Sequence, residues 1–336
     1  MNALTKQPRP RATPIQSLVA IAVSLAAANT AFAQKTAPEY PTRPIRIIVP
    51  FVAGGPMDLI GRVVGQKITS VWGQNFIIDN RAGAGGIIGT EAAAKAPPDG
   101  YTLLHTSSSH AQLAAFNKLP YDPLRDFAPA GSATRVVGYV LAVHPSMPVK
   151  SVKELIALAR KNPDKLNYGN TGIGGVLYIG TELFSAATGI KMNTVQYKGI
   201  GQMVNDLAGG HIDLAFLTSS SAVGMVKAGR VRALGISGAK RWKQLPDVPT
   251  IDEAGVKGFE YYAWFGFWYP AGTPAEHVNK FHGELNKALA APDVLARFDE
   301  VGFEPYVMSI AEFGKLVARE IDITRKIAAQ LGVKPQ

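Results

Sequence analysis

The sequence predicts an α/β protein of two lobes joined by two crossing segments, and three observations lead there. Short apolar runs alternate with helical patterns along most of the chain, and the 336 residues exceed one typical core. Two long β-branched or aromatic runs interrupt the alternation. Strands that alternate with helices imply parallel sheets covered on both faces.

Ile45–Pro50 reads as a buried strand, Leu59–Val71 as a helix and Phe76–Asp79 as a second strand. Gly86–Ala94 is a helix rich in small residues, and Tyr101–His105 is a third strand. The pattern resumes with a helix at Val152–Lys161, a strand at Leu166–Tyr168 and a helix at Val176–Ala187. Thr194–Tyr197, Gln202–Leu207, Ile212–Leu217, Ala222–Lys227 and Ala233–Ser237 continue it, and helices at Pro274–Leu289, Pro292–Val301 and Ile310–Leu331 close the chain. Val136–His144 and Phe259–Tyr269 lack helical spacing and are longer than their neighbours, so each can run from one lobe to the other. Residues 40–140 with 268–336 then form lobe 1, and residues 141–267 form lobe 2. A discontinuous lobe joined by two crossings is a hinge.

The chain opens with an export signal. Lys6, Arg9 and Arg11 precede a run from Leu18 to Ala28 that is apolar except for Ser24, and Ala31-Phe32-Ala33 supplies a small-residue cleavage site after Ala33. The run is about half of the roughly 20 residues a membrane span needs. Removing residues 1–33 leaves 303 residues and lowers the formal charge from +10 to +7. This basic balance attracts anions over distance. Lys and Arg are scattered, with no aromatic-interleaved basic stripe, so no nucleic-acid partner is expected. The absence of cysteine removes disulfides, thiolate nucleophiles and Cys-based zinc sites.

Two loops look suited to an anion. Phe51-Val52-Ala53-Gly54-Gly55-Pro56-Met57-Asp58 follows the first strand and opens the first helix, where glycines admit a ligand to bare backbone amides. Asp58, a poor anion ligand, is expected to orient this loop as a helix N-cap. Asn170-Thr171-Gly172-Ile173-Gly174-Gly175 offers the same elements before the Val176 helix. An internal echo adds hydroxyl clusters at Thr106-Ser107-Ser108-Ser109 and Thr218-Ser219-Ser220-Ser221, each where a strand gives way to a helix. They can cap those helices, touch a ligand, or both.

Gly83-Ala84-Gly85-Gly86-Ile87-Ile88-Gly89 imitates a dinucleotide fingerprint and supports a rival reading as an exported or nucleotide-dependent enzyme. Against it, the motif follows the second strand, Asn80-Arg81-Ala82 intervenes, and the next strand ends in His105 rather than an acid. None of the six histidines has zinc-site spacing, and no G-x-S-x-G elbow is present, so neither a metal nor a catalytic set is expected.

Further motifs carry a resemblance. Tyr40-Pro41-Thr42-Arg43-Pro44-Ile45, the Val49–Asp58 loop, Asp79–Gly86, Pro98–Leu103 and Leu119–Pro123 with Asp126-Phe127 belong to this set. So do Tyr197-Lys198-Gly199, Arg232-Ala233-Leu234, Leu245–Thr250 and Pro270–Pro274. From about Tyr40 to Gly332 the chain resembles the Bug receptors, the periplasmic solute-binding proteins of tripartite tricarboxylate transporters. The resemblance implies a two-lobed Venus-flytrap receptor that is not an enzyme. It implies a monomer without cofactor, which closes on a small organic carboxylate and serves the membrane permease subunits. Family members hold a ligand carboxylate between two loops, which carries over here to Phe51, Gly55, Pro56, Met57 and Asp58 in lobe 1. In lobe 2 it carries over to Thr171, Gly172, Gly174, Tyr197 and Gly199, with Asn170 opening that loop as a further candidate and Asp213 where some relatives contact the far end of the ligand. Ser107, Ser108 and Thr218 join these as candidate contacts.

Three departures from the family pattern bear on the ligand. Met57 stands where a hydroxyl residue is common, Tyr178 where a His is frequent, and Leu217-Thr218-Ser219 where an Asp commonly follows the strand. A thioether and a phenol favour an apolar-bodied or aromatic carboxylate, terephthalate among them, over a polyhydroxy acid. Drift at positions facing away from the cleft is the alternative explanation.

Overall fold

The computed structural model describes residues 39–172, 174–330 and 332. The export signal expected over residues 1–33 lies outside the described residues. Among these, no helix is long and apolar enough to cross a membrane.

Within residues 43–336 the chain builds two sheets. The first begins at β1 (Ile45–Val49), whose four aliphatic residues flanking Arg46 are fully buried. Helix α1 (Pro56–Trp72) follows, opened by proline in its first turn and stopped by Gly73 in the left-handed conformation. Then come β2 (Phe76–Asn80), α2 (Ile87–Ala94), β3 (Thr102–Ser107), α3 (Ser109–Phe116) and β4 (Phe127–Val136). The second sheet takes β5 (Val140–Val143), β6 (Asn167–Asn170), β7 (Asn193–Gln196), β8 (Leu214–Leu217) and β9 (Arg232–Ile236). Between these strands lie α4 (Val152–Lys161), α5 (Val176–Thr188), α6 (Ile200–Gly209) and α7 (Ser219–Lys227). The chain then returns to the first sheet with β10 (Trp264–Pro270), α8 (Ala275–Leu289), α9 (Pro292–Glu300), β11 (Phe303–Pro305) and α10 (Ile310–Gln330).

The strand orders are β11-β4-β10-β3-β1-β2 and β7-β6-β8-β5-β9. Neither sheet is wholly parallel, contrary to the pattern expectation. β1 pairs in parallel with β2 and β3, as β6 does with β7 and β8. β10 is antiparallel to β3 and β4, and β5 is antiparallel to β8 and β9. β5 and β10 each follow a crossing, enter their sheet from the hinge side and so run against their neighbours, while β11, also antiparallel to β4, returns from α9.

Residues 137–139 carry the chain from β4 to β5, and residues 237–263 carry it back from β9 to β10. The 140/141 and 267/268 limits expected from pattern both fall inside strands that follow these segments, β5 and β10. Ser237, fully buried, ties the two crossings together. Its Oγ accepts the Tyr139 amide at 2.8 Å and donates to the Tyr261 carbonyl, while its own backbone bonds Tyr139 at 2.8 Å and Tyr261 at 2.7 Å. The terminal helix α10 is a third link. Its Phe313, Val317 and Ile321 pack in a cluster with β10 tryptophans of the first sheet, and its Ile327 and Ala328 join the core around the second.

Candidate functional site

A cavity of about 530 Å³ lies at the carboxyl ends of β1, β3, β6 and β8, between the lobes. That size suits a small ligand. Four helices begin at its wall. Pro56 and Met57 open α1, Ser109 opens α3, Val176 opens α5, and Ser219 and Ser220 open α7. Each helix start presents amides without an intrahelical partner and a partial positive charge. The residues before them, Gly55, Ser108, Gly175 and Thr218, place no side-chain cap on these amides. Ser151, at the start of α4 and away from the cavity, does cap its helix through the Glu154 amide. In the two hydroxyl clusters only Ser107 meets a helix-start amide, its Oγ accepting the Ser109 N–H at 3.4 Å, so capping accounts for little of either. The rest of the wall is largely apolar, with Phe51, Leu113, Val136, Phe265 and Phe303 beside polar Gln112, Tyr139 and Thr171, and no charged side chain lines it among the described residues.

The two loops are held from behind. Asp58 sits in the first turn of α1 rather than at its N-cap, which is Gly55. The Asp58 carboxylate accepts the Gly54 amide at 3.0 Å and the Arg62 guanidinium at 2.9 Å. The Arg62 hydrogen bond, joined by the Gly54 amide, holds its pKa below the usual carboxylate range despite burial. In lobe 2, buried Asn170 accepts the Gly172 amide at 2.8 Å and donates to Thr194. Asp58→Ala is expected to cost about 1–3 kcal/mol by removing the charged acceptor of the Gly54 amide and Arg62 hydrogen bonds. Because the folded pKa is depressed, the wild-type carboxylate contributes stability above the unfolded value near 4. That contribution disappears as pH falls through the folded value. Denaturant midpoints of both proteins, separate at pH 7 and drawing together as the pH falls below about 4, would show this; equal midpoints at pH 7 would refute it.

Of the residues expected at the site, Phe51, Pro56, Met57, Ser107, Thr171, Gly172, Gly174 and Thr218 line the cavity. Gly55, Asp58, Ser108 and Asn170 stand behind this wall as helix starts or loop supports. Tyr178 is buried edge-on to Phe116, its hydroxyl pKa pushed up to about 12 by burial, and is not on the wall. Tyr197 and Gly199 are not on it either; the Tyr197 amide bonds the Asn170 carbonyl at 2.9 Å. Asp213 needs correction. It precedes β8, whereas Thr218 and the cavity follow it, and its carboxylate accepts the Asn167 amide at 2.7 Å. Four extended residues, about 13 Å, separate it from the cavity end of the strand.

Gln112, Tyr139, Phe265 and Phe303 line the cavity without having been expected. The glycine-rich turn over residues 83–89 is used for packing. A Cβ on Gly89 would meet Arg81 O at 2.6 Å and Pro50 Cα at 2.7 Å, so α2 lies directly on the base of the first loop. Gly85 alone of this turn reaches the wall. His105 and His110 are fully packed, bonded to the Gly266 and Pro123 carbonyls, and burial lowers both to about 4. No group of three potential metal ligands occurs among the described residues.

Comparisons with known proteins agree with this architecture. The family described as tripartite tricarboxylate transporter family receptor matches residues 60–333. BugT of Bordetella pertussis is 34% identical over 320 residues, which cover 94% of this chain and 98% of BugT. The structure of R. palustris Rpa4515 with adipate is 36% identical with a TM-score of 0.74, covering 89% of this chain and 100% of that one. The periplasmic binding protein BugD is 33% identical with a TM-score of 0.71, covering 88% and 100%.

Proposed function

The chain belongs to the tripartite tricarboxylate transporter receptor family, and from that premise we propose that it captures a small organic carboxylate between its lobes and hands it on unchanged. On this reading it acts in the periplasm as a monomer without a cofactor and delivers its ligand to membrane permease subunits. The cavity wall carries the reading. Four uncapped helix starts and several hydroxyls surround a space with no charged side chain, a wall that binds anions through backbone amides and helix dipoles. BugD supports the compartment by its description as a periplasmic binding protein.

The ligand we infer is a dicarboxylate with an apolar or aromatic body, such as terephthalate. Met57, Phe51, Phe265 and Phe303 supply apolar faces for the body. One carboxylate fits between the α1 and α5 starts, and the hydroxyl-bearing α3 and α7 starts suit a second. Adipate, found with Rpa4515, is a dicarboxylate of this apolar-bodied kind. Calorimetric titration with terephthalate, adipate and citrate tests this. We expect one of the first two to bind at least about tenfold tighter than citrate, about 1.4 kcal/mol. Preference for citrate would overturn the apolar-bodied ligand, and binding of none of the three would overturn carboxylate capture.

A further inference from the structure

Behind the cavity wall lies a polar knot that capture alone does not explain. Gln112 of α3 is fully buried and lines the cavity. Its Nε2 donates to Oε1 of Glu320 on α10 at 3.0 Å, and stands 3.5 Å from both Ser108 Oγ and Tyr261 Oη. Its Oε1, on the other limb of the amide, is buried with no hydrogen-bond partner. The second oxygen of Glu320 accepts the indole N–H of Trp264. The Tyr261 hydroxyl donates at 2.7 Å to the carbonyl of Val176, where α5 begins. The knot thus joins the cavity wall, a crossing segment and two of the helices whose starts face the ligand.

An ionised Glu320 can only accept, so it takes both donors and holds the NH2 of Gln112 on itself. The amide oxygen is then left unpaired in the wall of a site suited to anions. A proton on Glu320 reverses the pair. The O–H of Glu320 donates to Gln112 Oε1, the amide turns over, and its NH2 is released toward the ligand. One proton thereby removes a buried charge, pairs an orphan oxygen and replaces a repelling carbonyl with a donor.

We propose, resting on the carboxylate reading above, that Gln112 contacts the bound ligand and that Glu320 is a positioning residue whose proton sets which limb of the Gln112 amide the ligand meets. The receptor then takes up a proton with its anion. Burial raises the Glu320 carboxyl to about 7, the effect outweighing the hydrogen bonds from Trp264 and Gln112 and the nearby charge of Arg319. The other ionisable groups around it are Tyr139, Tyr261, Tyr262 and Glu260. Tyr139 and Tyr261 stay neutral, their pKa values raised by burial.

The test is calorimetry of the whole mature protein with adipate and terephthalate between about pH 6.5 and 8.5, in buffers of different ionisation enthalpy. Both probes are dianions there, since carboxyl groups titrate near 4. Affinity is expected to fall with rising pH above about 7, approaching tenfold per pH unit, with uptake of up to about one proton per ligand. Glu320→Gln, which keeps a donor beside Gln112 Oε1, should bind with no pH slope and no proton uptake, near the wild-type affinity at low pH. Gln112→Met should lose affinity at low pH and also lose the slope. A flat wild-type profile without proton uptake, or an unchanged slope in Glu320→Gln, overturns the inference and leaves carboxylate capture standing. If a variant fails to fold, the wild-type proton count decides. If neither dianion binds at any pH, capture and this inference fall together.

Discussion

Gly238→Ala is expected to destabilise the protein by about 3 kcal/mol or more, because the hinge has no room for one methyl group. A Cβ at this position would lie 1.9 Å from the Val137 carbonyl oxygen and 2.9 Å from its carbon. The obstacle is backbone, which no change of rotamer relieves. On the opposite side, a Cβ on Gly138 would meet the Gly238 nitrogen at 2.5 Å, so the two crossings touch main chain to main chain. Ser237 holds them at that distance through its two hydrogen bonds to Tyr139, so separation of the crossings would break those bonds as well. Gly201→Ala in α6 is the control. No atom lies within 4 Å of a Cβ there, and alanine is expected to be neutral or to stabilise by up to about 1 kcal/mol. Urea midpoints compare the two directly. An unchanged midpoint for Gly238→Ala would mean that the crossings can part freely, and the close-packed hinge would be wrong.

The candidate site was legible in the sequence where it is built from local chain. A strand that ends in glycine or hydroxyl residues and gives way to a helix has one local solution. The Phe51–Asp58 and Asn170–Gly175 loops and both Ser/Thr clusters accordingly reach or support the cavity wall. Asp213 was misjudged although the same logic covers it. It precedes a strand whose carboxyl end faces the cavity, so strand direction alone places it at the remote end. The remaining wall comes from distant segments. Phe265 arrives on β10, Phe303 on a strand of three residues, and Tyr139 on a crossing, and no local periodicity brings these together. Gln112 is one polar residue on a short helix; only α10, two hundred residues on, supplies the Glu320 that accepts from it. The sheets show the same division. Their parallel cores follow from alternation, whereas the reversed strands β5 and β10 depend on where the chain crosses the hinge.

Gly175→Asp should weaken binding of a carboxylate ligand by roughly 10- to 100-fold while leaving the fold as stable as before or more so. Gly175 is the N-cap of α5, with φ −75° and ψ 160°, a conformation open to any L-residue and the one capping side chains use. Aspartate there would bring its own carboxylate to the first-turn amides that now lie uncapped at the cavity wall. A Cβ would stand 3.1 Å from the Gly172 carbonyl, which must yield by a few tenths of an ångström. Against that small strain, an acid at a helix start contributes about 0.3–1 kcal/mol. The ligand loses the same amides and also meets a like charge, which together account for about 1.4–2.8 kcal/mol of binding. Gly175→Asn offers the cap without the charge, and its affinity should fall between aspartate and wild type. The order wild type, asparagine, aspartate in affinity, with midpoints flat or rising along it, is the outcome expected if α5 gives up its own cap to keep a place for the ligand. Wild-type affinity in Gly175→Asp would put the ligand's carboxylate elsewhere in the cavity, away from α5.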